Sequence, residues 1–174
     1  GYEAAGFDTS EDMLARCRAH LQNRGLTADV SAQRFETFAY DRKFGAVVIP
    51  AGSFALVTDY DAALATLRRF HDHLLPGGRL VLDLVSLASL ANAQRGVKSW
   101  KSETGDHLRL EGRHVESDFL AQITRARFRY ERWRGGRMIE TETEDLVQRA
   151  WGLREFEAAL RTIGFQDVRF CGGY

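Results

Sequence analysis

A lone carboxylate set between a strand-like run and a helix start is the residue of this chain best placed to do chemistry. The opening stretch GYEAAGFDTSEDMLARC runs from strand-like Tyr2–Phe7 into Asp8 and then at once into helix-starting residues. The two oxygens of an acid in that position can accept both hydroxyls of a ribose at the edge of a sheet. The same acid can equally cap the helix that follows it. In doubly wound domains such an acid lies roughly 20 residues beyond a glycine-rich turn that meets the other end of a nucleotide. Here that turn would fall before Gly1.

The other titratable residues offer less. Asp83 closes the apolar run RLVLDLV, at the sheet edge where ligands collect, and suits substrate orientation or the fixing of a loop. His71 and His73 stand two apart on a helical stretch, so they point to different sides and cannot chelate one metal. His71 falls on the apolar stripe, as expected of a hydrogen-bonded core histidine, and His73 on the surface. His107 and His114 lie in or near polar strands and can face a substrate. Cys17 and Cys171 have no metal-binding or redox spacing.

The elements that must position these residues alternate. Thr9 and Asp12 have capping-box spacing, Met13, Leu14, Cys17 and Leu21 recur on one face, and Gly25 stops the helix. Ala28–Gln33 reads as a short strand. GAVVIP, Gly45–Pro50, reads as a strand covered on both faces. A helix over Asp59–Leu75, a PGG stop, and a strand over Arg79–Val85 come next. After a polar middle, a helix striped by Leu153, Phe156, Leu160 and Ile163 leads to a strand over Phe165–Phe170. Strands alternating with helices predict an α/β fold of Rossmann-like, doubly wound type, with a mostly parallel sheet.

The middle, residues 97–148, predicts an inserted antiparallel β-hairpin region, with polar-alternating strands over His107–Val115, Leu120–Trp133 and Arg137–Gln148. Gly135-Gly136 is a two-residue hairpin signal, because such turns need positive φ. Counting outward from Arg134 opposite Arg137 sets Arg129 against Glu142 and Arg127 against Glu144, but also Glu131 against Glu140, a repulsive pair. Phe128 and Tyr130 share the face expected to pack on the domain. Trp100, Trp133 and Trp151 suit a core or a pocket wall.

Composition limits the function. The 174 residues suit a single domain, and 44% hydrophobic with 28% charged residues is ordinary globular usage. Lys plus Arg and Asp plus Glu both number 24, a balance that argues against nucleic-acid or anionic-membrane binding. No apolar run approaches the ~18 residues of a membrane span. Two unpatterned cysteines point to a reducing cytoplasm.

Four stretches together resemble one family. GYEAAGFDTSEDMLARCRAHL, KFGAVVIPAGSF, ALATLRRFHDHLLPGGRLVLDL and LREFEAALRTIGFQDVRF occur in the order seen in class I S-adenosylmethionine-dependent methyltransferases. The resemblance covers nearly the whole chain, from the family's second strand to its sixth. It implies a central first strand and glycine-rich loop before residue 1 and a last strand after residue 174. It also implies that the chain alone exposes strand edges, folds poorly and binds cofactor weakly or not at all.

The implied cofactor is S-adenosylmethionine and the implied activity is methyl transfer to a small molecule. Carried over by position, Asp8 holds the ribose, and Thr9 and Met13 lie around the adenine. For Met13, packing within the helix is the simpler role, because it shares the stripe with Leu14 and Cys17. Many family members carry an adenine-binding aspartate where this chain has Arg34, which cannot accept a hydrogen bond. Either the alignment shifts there, or backbone groups and Phe35 read the adenine. Pro50 and Ala51, with Gly52 and Ser53, match the loop that passes the methionine end of the cofactor, although a simple turn explains the glycine as well. The antiparallel insertion implies either cover for the active-site mouth or a homodimer contact. Two other readings stay open: a degenerate methyltransferase-like binding or dimerisation module, which Arg34 favours, and an NAD(P)-dependent oxidoreductase. The DTSEDML start, the LLPGG turn and the hairpin are all foreign to the oxidoreductase fold.

Overall fold

The computed structural model describes residues 3–91 and 95–172. The chain divides into two compact units, residues 1–43 and 44–174. Within them the described strands form three sheets, two parallel pairs and one four-stranded antiparallel sheet.

In the first unit, β1 (Ala5–Asp8) pairs in parallel with β2 (Asp29–Ala32) across α1 (Glu11–Asn23). Tyr2, the first residue of the predicted strand, lies outside the described residues. The helix is capped by Ser10 rather than by the Thr9–Asp12 box, with the Ser10 hydroxyl accepting from the Met13 N–H at 3.3 Å. The predicted apolar stripe buries only Leu14 fully, and Met13 is 55% exposed. An aromatic stack anchors the unit instead: Phe38 lies on Phe7 at 5.0 Å between ring centroids, and Phe35 meets Phe7 edge-on at 5.7 Å.

The second unit opens with β3 (Phe44–Ile49), parallel to β4 (Leu74–Leu82), with α2 (Tyr60–Asp72) between them. β4 begins before the PGG stretch, and the ladder jumps register there, from Phe44 opposite Leu74 to Ala46 opposite Arg79. The expectation that β3 is covered on both faces fails. Val48 and Val81 are register partners on one face and are 63% and 54% exposed. The other face is the buried one. There Phe54, Leu67, Phe70, Trp151, Phe156 and Leu160 form the core, with α4 (Leu153–Ile163) closing it.

Beyond the short helix α3 (Ala88–Ala91), each of the three strands expected in the insertion forms, and a fourth precedes them. The insertion is a meander of β5 (Arg95–Lys101), β6 (His107–Asp118), β7 (Ile123–Arg134) and β8 (Arg137–Arg149). Gly135 and Gly136 form the predicted turn, with φ of 54° and 78°. The predicted register holds for Arg134 and Arg137 and then slips by one residue, because the ladder shifts between Arg132 and Trp133. The slip sets Arg132 against Glu140, Glu131 against Thr141, Arg129 against Thr143 and Arg127 against Asp145. The bulge thereby removes the Glu131–Glu140 repulsion while keeping two opposite-charge pairs, Arg132–Glu140 and Arg127–Asp145. Arg127 grips Asp145 through two bonds, of 2.5 and 2.7 Å.

Other expectations are also corrected. Phe128 packs within its own sheet, over Gly112, and Tyr130 stays partly exposed. His71 is not a core residue: its half-exposed ring stands edge-on to Phe165 and 3.7 Å from the Asp72 carboxylate. His73 is half-buried rather than superficial, its Nδ1 2.8 Å from the Arg69 carbonyl. Phe165–Phe170 forms no strand, and left-handed backbone at Asp167, φ 51°, interrupts it.

Candidate functional site

The first unit carries the ribose candidate. β1 ends at Asp8, and its carboxylate Oδ1 accepts the Ser10 N–H at 2.9 Å, bridging strand and helix. Asp8 is therefore a turn-holding residue whatever else it does. Among the described residues nothing donates to its other oxygen, Oδ2, so an acceptor remains available to a ligand hydroxyl. Thr9 is exposed beside it. Met13 lies three residues into the same helix with its flexible, polarizable side chain uncovered. Met13 is therefore not buried in the packing of its helix.

The adenine candidates divide. Phe35 is half-buried against Phe7, the residue before Asp8, so its ring lies next to the end of β1. Arg34 is exposed and ion-paired with Glu36 at 3.6 Å, and its carbonyl accepts the N–H groups of Thr37 and Phe38. It shapes a turn and has no acceptor to offer an amino group. Gln33 pins the same turn, accepting the Ala39 N–H at 2.8 Å and donating to the Ser31 hydroxyl at 2.9 Å. An open cleft of this unit is lined by Asp29, Ser31, Gln33, Tyr40 and Arg42, and none of the predicted cofactor residues lines it.

Pro50 and Ala51 belong to the second unit. Directly after β3, Ala51 and Gly52 both take left-handed backbone, φ 58° and 70°. For Ala51 that conformation costs roughly 1–2 kcal/mol. It is held because the Asp83 carboxylate, just past the end of β4, accepts the Ala51 N–H at 2.6 Å. Of the two roles predicted for Asp83, the structure shows the fixing of a loop. Ser53 closes the turn by donating from both its amide and its hydroxyl to the Pro50 carbonyl.

The histidines of the insertion are not gathered at this loop. His114 is tied to Ser117, whose hydroxyl donates to the Leu90 carbonyl, and His107 is exposed. Among the described residues no group of three His, Cys, Asp or Glu side chains is placed to hold a metal ion.

Two buried acids give the insertion its electrostatics. Asp106 is 2% exposed and accepts from Arg132 at 2.6 Å and from Arg134 at 2.8 and 2.9 Å. Those bonds, Arg134 first, hold its carboxyl far below the usual carboxylate range. Glu131 accepts from the Trp133 indole and from Arg109, and it too is held ionised. Sequence reasoning read Glu131 only as half of a repulsive pair, and it passed over Asp106, which stands just before β6, far in sequence from the Arg132 and Arg134 that hold it. It also missed Ser10 and the contacts of Tyr60 and Arg149. The only hint of the latter was Asp59-Tyr60 opening a helix.

Residues 1–78 match the family model for a methyltransferase domain. An S-adenosylmethionine-dependent methyltransferase from Clostridium acetobutylicum superposes with a TM-score of 0.79 at 16% identity, over 93% of this chain and 63% of that one. DesVI of Streptomyces venezuelae gives 0.79 at 23% identity, over 93% and 66%. The sugar N-methyltransferase KedS8 of a Streptoalloteichus species gives 0.77 at 23%, over 92% and 62%. No curated protein sequence matches the chain. The fold is that of S-adenosylmethionine-dependent methyltransferases, and the chain spans about two thirds of the length of these structures.

Proposed function

We propose that this protein transfers a methyl group from S-adenosylmethionine to a small-molecule acceptor. The observation that carries the reading is Asp8, at the end of a parallel strand in the region matching the methyltransferase family, with one carboxylate oxygen pinned and the other open. When bound, the cofactor supplies a methyl on a sulfonium that is displaced in line. The chain's contribution is position. Within the first unit, Asp8 accepts from the ribose and Met13 and Phe35 flank the adenine. Arg34 is the exception, and adenine is read without a carboxylate there.

KedS8 acts on a sugar, and a small polar acceptor is proposed here on the same footing. The same reading places the enzyme in the cytoplasm, consistent with two exposed free cysteines, and no described helix is long and apolar enough to cross a membrane. Trp100 and Tyr130, exposed on one face of the insertion, support self-association there. Calorimetric titration of the intact protein tests the main point. Saturable binding of S-adenosylmethionine, competed by S-adenosylhomocysteine and not by NADH, is expected. Binding of NADH alone would overturn the reading.

A further inference from the structure

The last residue of β8 is held in a way that its own packing does not require. Arg149 is half-buried, and its Nε donates to the Thr58 carbonyl at 2.7 Å. Its guanidinium carbon lies 5.7 Å from the ring centroid of Tyr60 and 5.8 Å from that of Trp151. These contacts fix the guanidinium plane. Neither terminal amino group has a hydrogen-bond or ion-pair partner among the described residues. Other arginines of the same sheet differ: Arg109, Arg127, Arg132 and Arg134 each have a carboxylate. A partly desolvated cation left without a counter-ion is unfavourable unless something else supplies the anion.

Its place in the fold says where that anion would come from. The Trp151 N–H donates to the Val85 carbonyl at 2.8 Å, and the Trp151 carbonyl accepts the Leu87 N–H at 3.1 Å. The end of β8 is thereby fastened to the segment that follows β4, two residues beyond the Asp83 that holds Ala51. Thr58 and Tyr60 lie in the segment that follows β3. Arg149 therefore stands outside the carboxyl ends of both parallel strands, where open α/β sheets bind their ligands. Trp151 itself is 1% exposed, and its aromatic neighbours Phe54 and Phe156 make the mount rigid.

We propose that Arg149 is the recognition residue for an oxyanion, a carboxylate or a phosphate, carried by the methyl acceptor. A planar fork held by a backbone carbonyl and two rings is preorganised for bidentate binding of either group. The assignment to the acceptor rests on the methyl-transfer reading, whereas the anion site itself does not.

The intact protein, labelled with ¹⁵N, is titrated separately with inorganic phosphate and with succinate against sodium chloride of equal ionic strength. The Trp151 indole N–H resonance is the readout. A saturable shift with phosphate alone identifies a phosphoryl acceptor, with succinate alone a carboxylate acceptor, and with both the shared oxyanion chemistry. Arg149→Met, which keeps an apolar stem on the rings, should abolish the shift, and Arg149→Lys should weaken binding by roughly tenfold. Shifts that chloride reproduces, that do not saturate, or that survive in Arg149→Met overturn the proposal. S-adenosylmethionine affinity should be unchanged in Arg149→Met. Failure of the unsubstituted protein to bind S-adenosylmethionine would defeat the methyl-transfer reading and leave the anion site to its own titration.

Discussion

Removing the Asp8 carboxylate should separate cofactor binding from local stability, because its two oxygens do different things. Oδ1 accepts the Ser10 N–H at 2.9 Å, a short-range bond at an exposed turn. Asp8→Ala deletes that bond, at a stability cost of about 1 kcal/mol. It also deletes the acceptor for the ribose. Losing charge-assisted bonds to two hydroxyls should cost roughly 2–4 kcal/mol of binding, or about 30- to 900-fold in Kd. Asp8→Asn keeps a carbonyl oxygen that can go on accepting from Ser10 but carries no charge. Its thermal midpoint should therefore match that of the unsubstituted protein, while its affinity falls between the other two. Calorimetric titration with S-adenosylmethionine and thermal unfolding of the three proteins read both quantities. If Asp8→Ala binds as tightly as the unsubstituted protein while unfolding earlier, the acid is a helix-start device and nothing more.

Ala51→Gly should raise stability by about 0.5–1 kcal/mol in urea unfolding, since glycine adopts φ near 58° without strain and gives back part of the gain in the unfolded chain. A decrease would mean that the loop carries no strain. Gly112→Ala should destabilise the insertion by roughly 1–3 kcal/mol, because a Cβ there would stand 2.7 Å from Cε1 of Phe128 and push the ring off its sheet. Fluorescence-monitored unfolding reads it, and a neutral result would show that the ring moves freely. Asp106 should give the insertion an acid-sensitive stability. Its folded pKa is depressed, so its contribution is complete above the usual 3.8 and is lost as the pH falls from there through the folded value. Asp106→Asn should be less stable at neutral pH and show a flatter acid titration by circular dichroism. An unchanged acid limb would refute the clamp.

What could be read from the chain were the features whose physics is local. Alternating apolar runs and helical stripes gave the α/β order, Gly135-Gly136 gave the turn, and Asp8 stood out by its place between strand and helix. What could not be read depends on partners distant in sequence. The hairpin register needed the bulge between Arg132 and Trp133, which is chosen by a balance of cross-strand charges and not by the turn. The open face of Val48 and Val81 has the same apolar pattern as a covered one. Arg149 reads as one arginine among many, until folding brings Thr58, Tyr60 and Trp151 around it and leaves it without a carboxylate. Local propensity acts along the chain, whereas burial and charge pairing act across it, so only the assembled structure decides which side chains are left with unused bonding capacity.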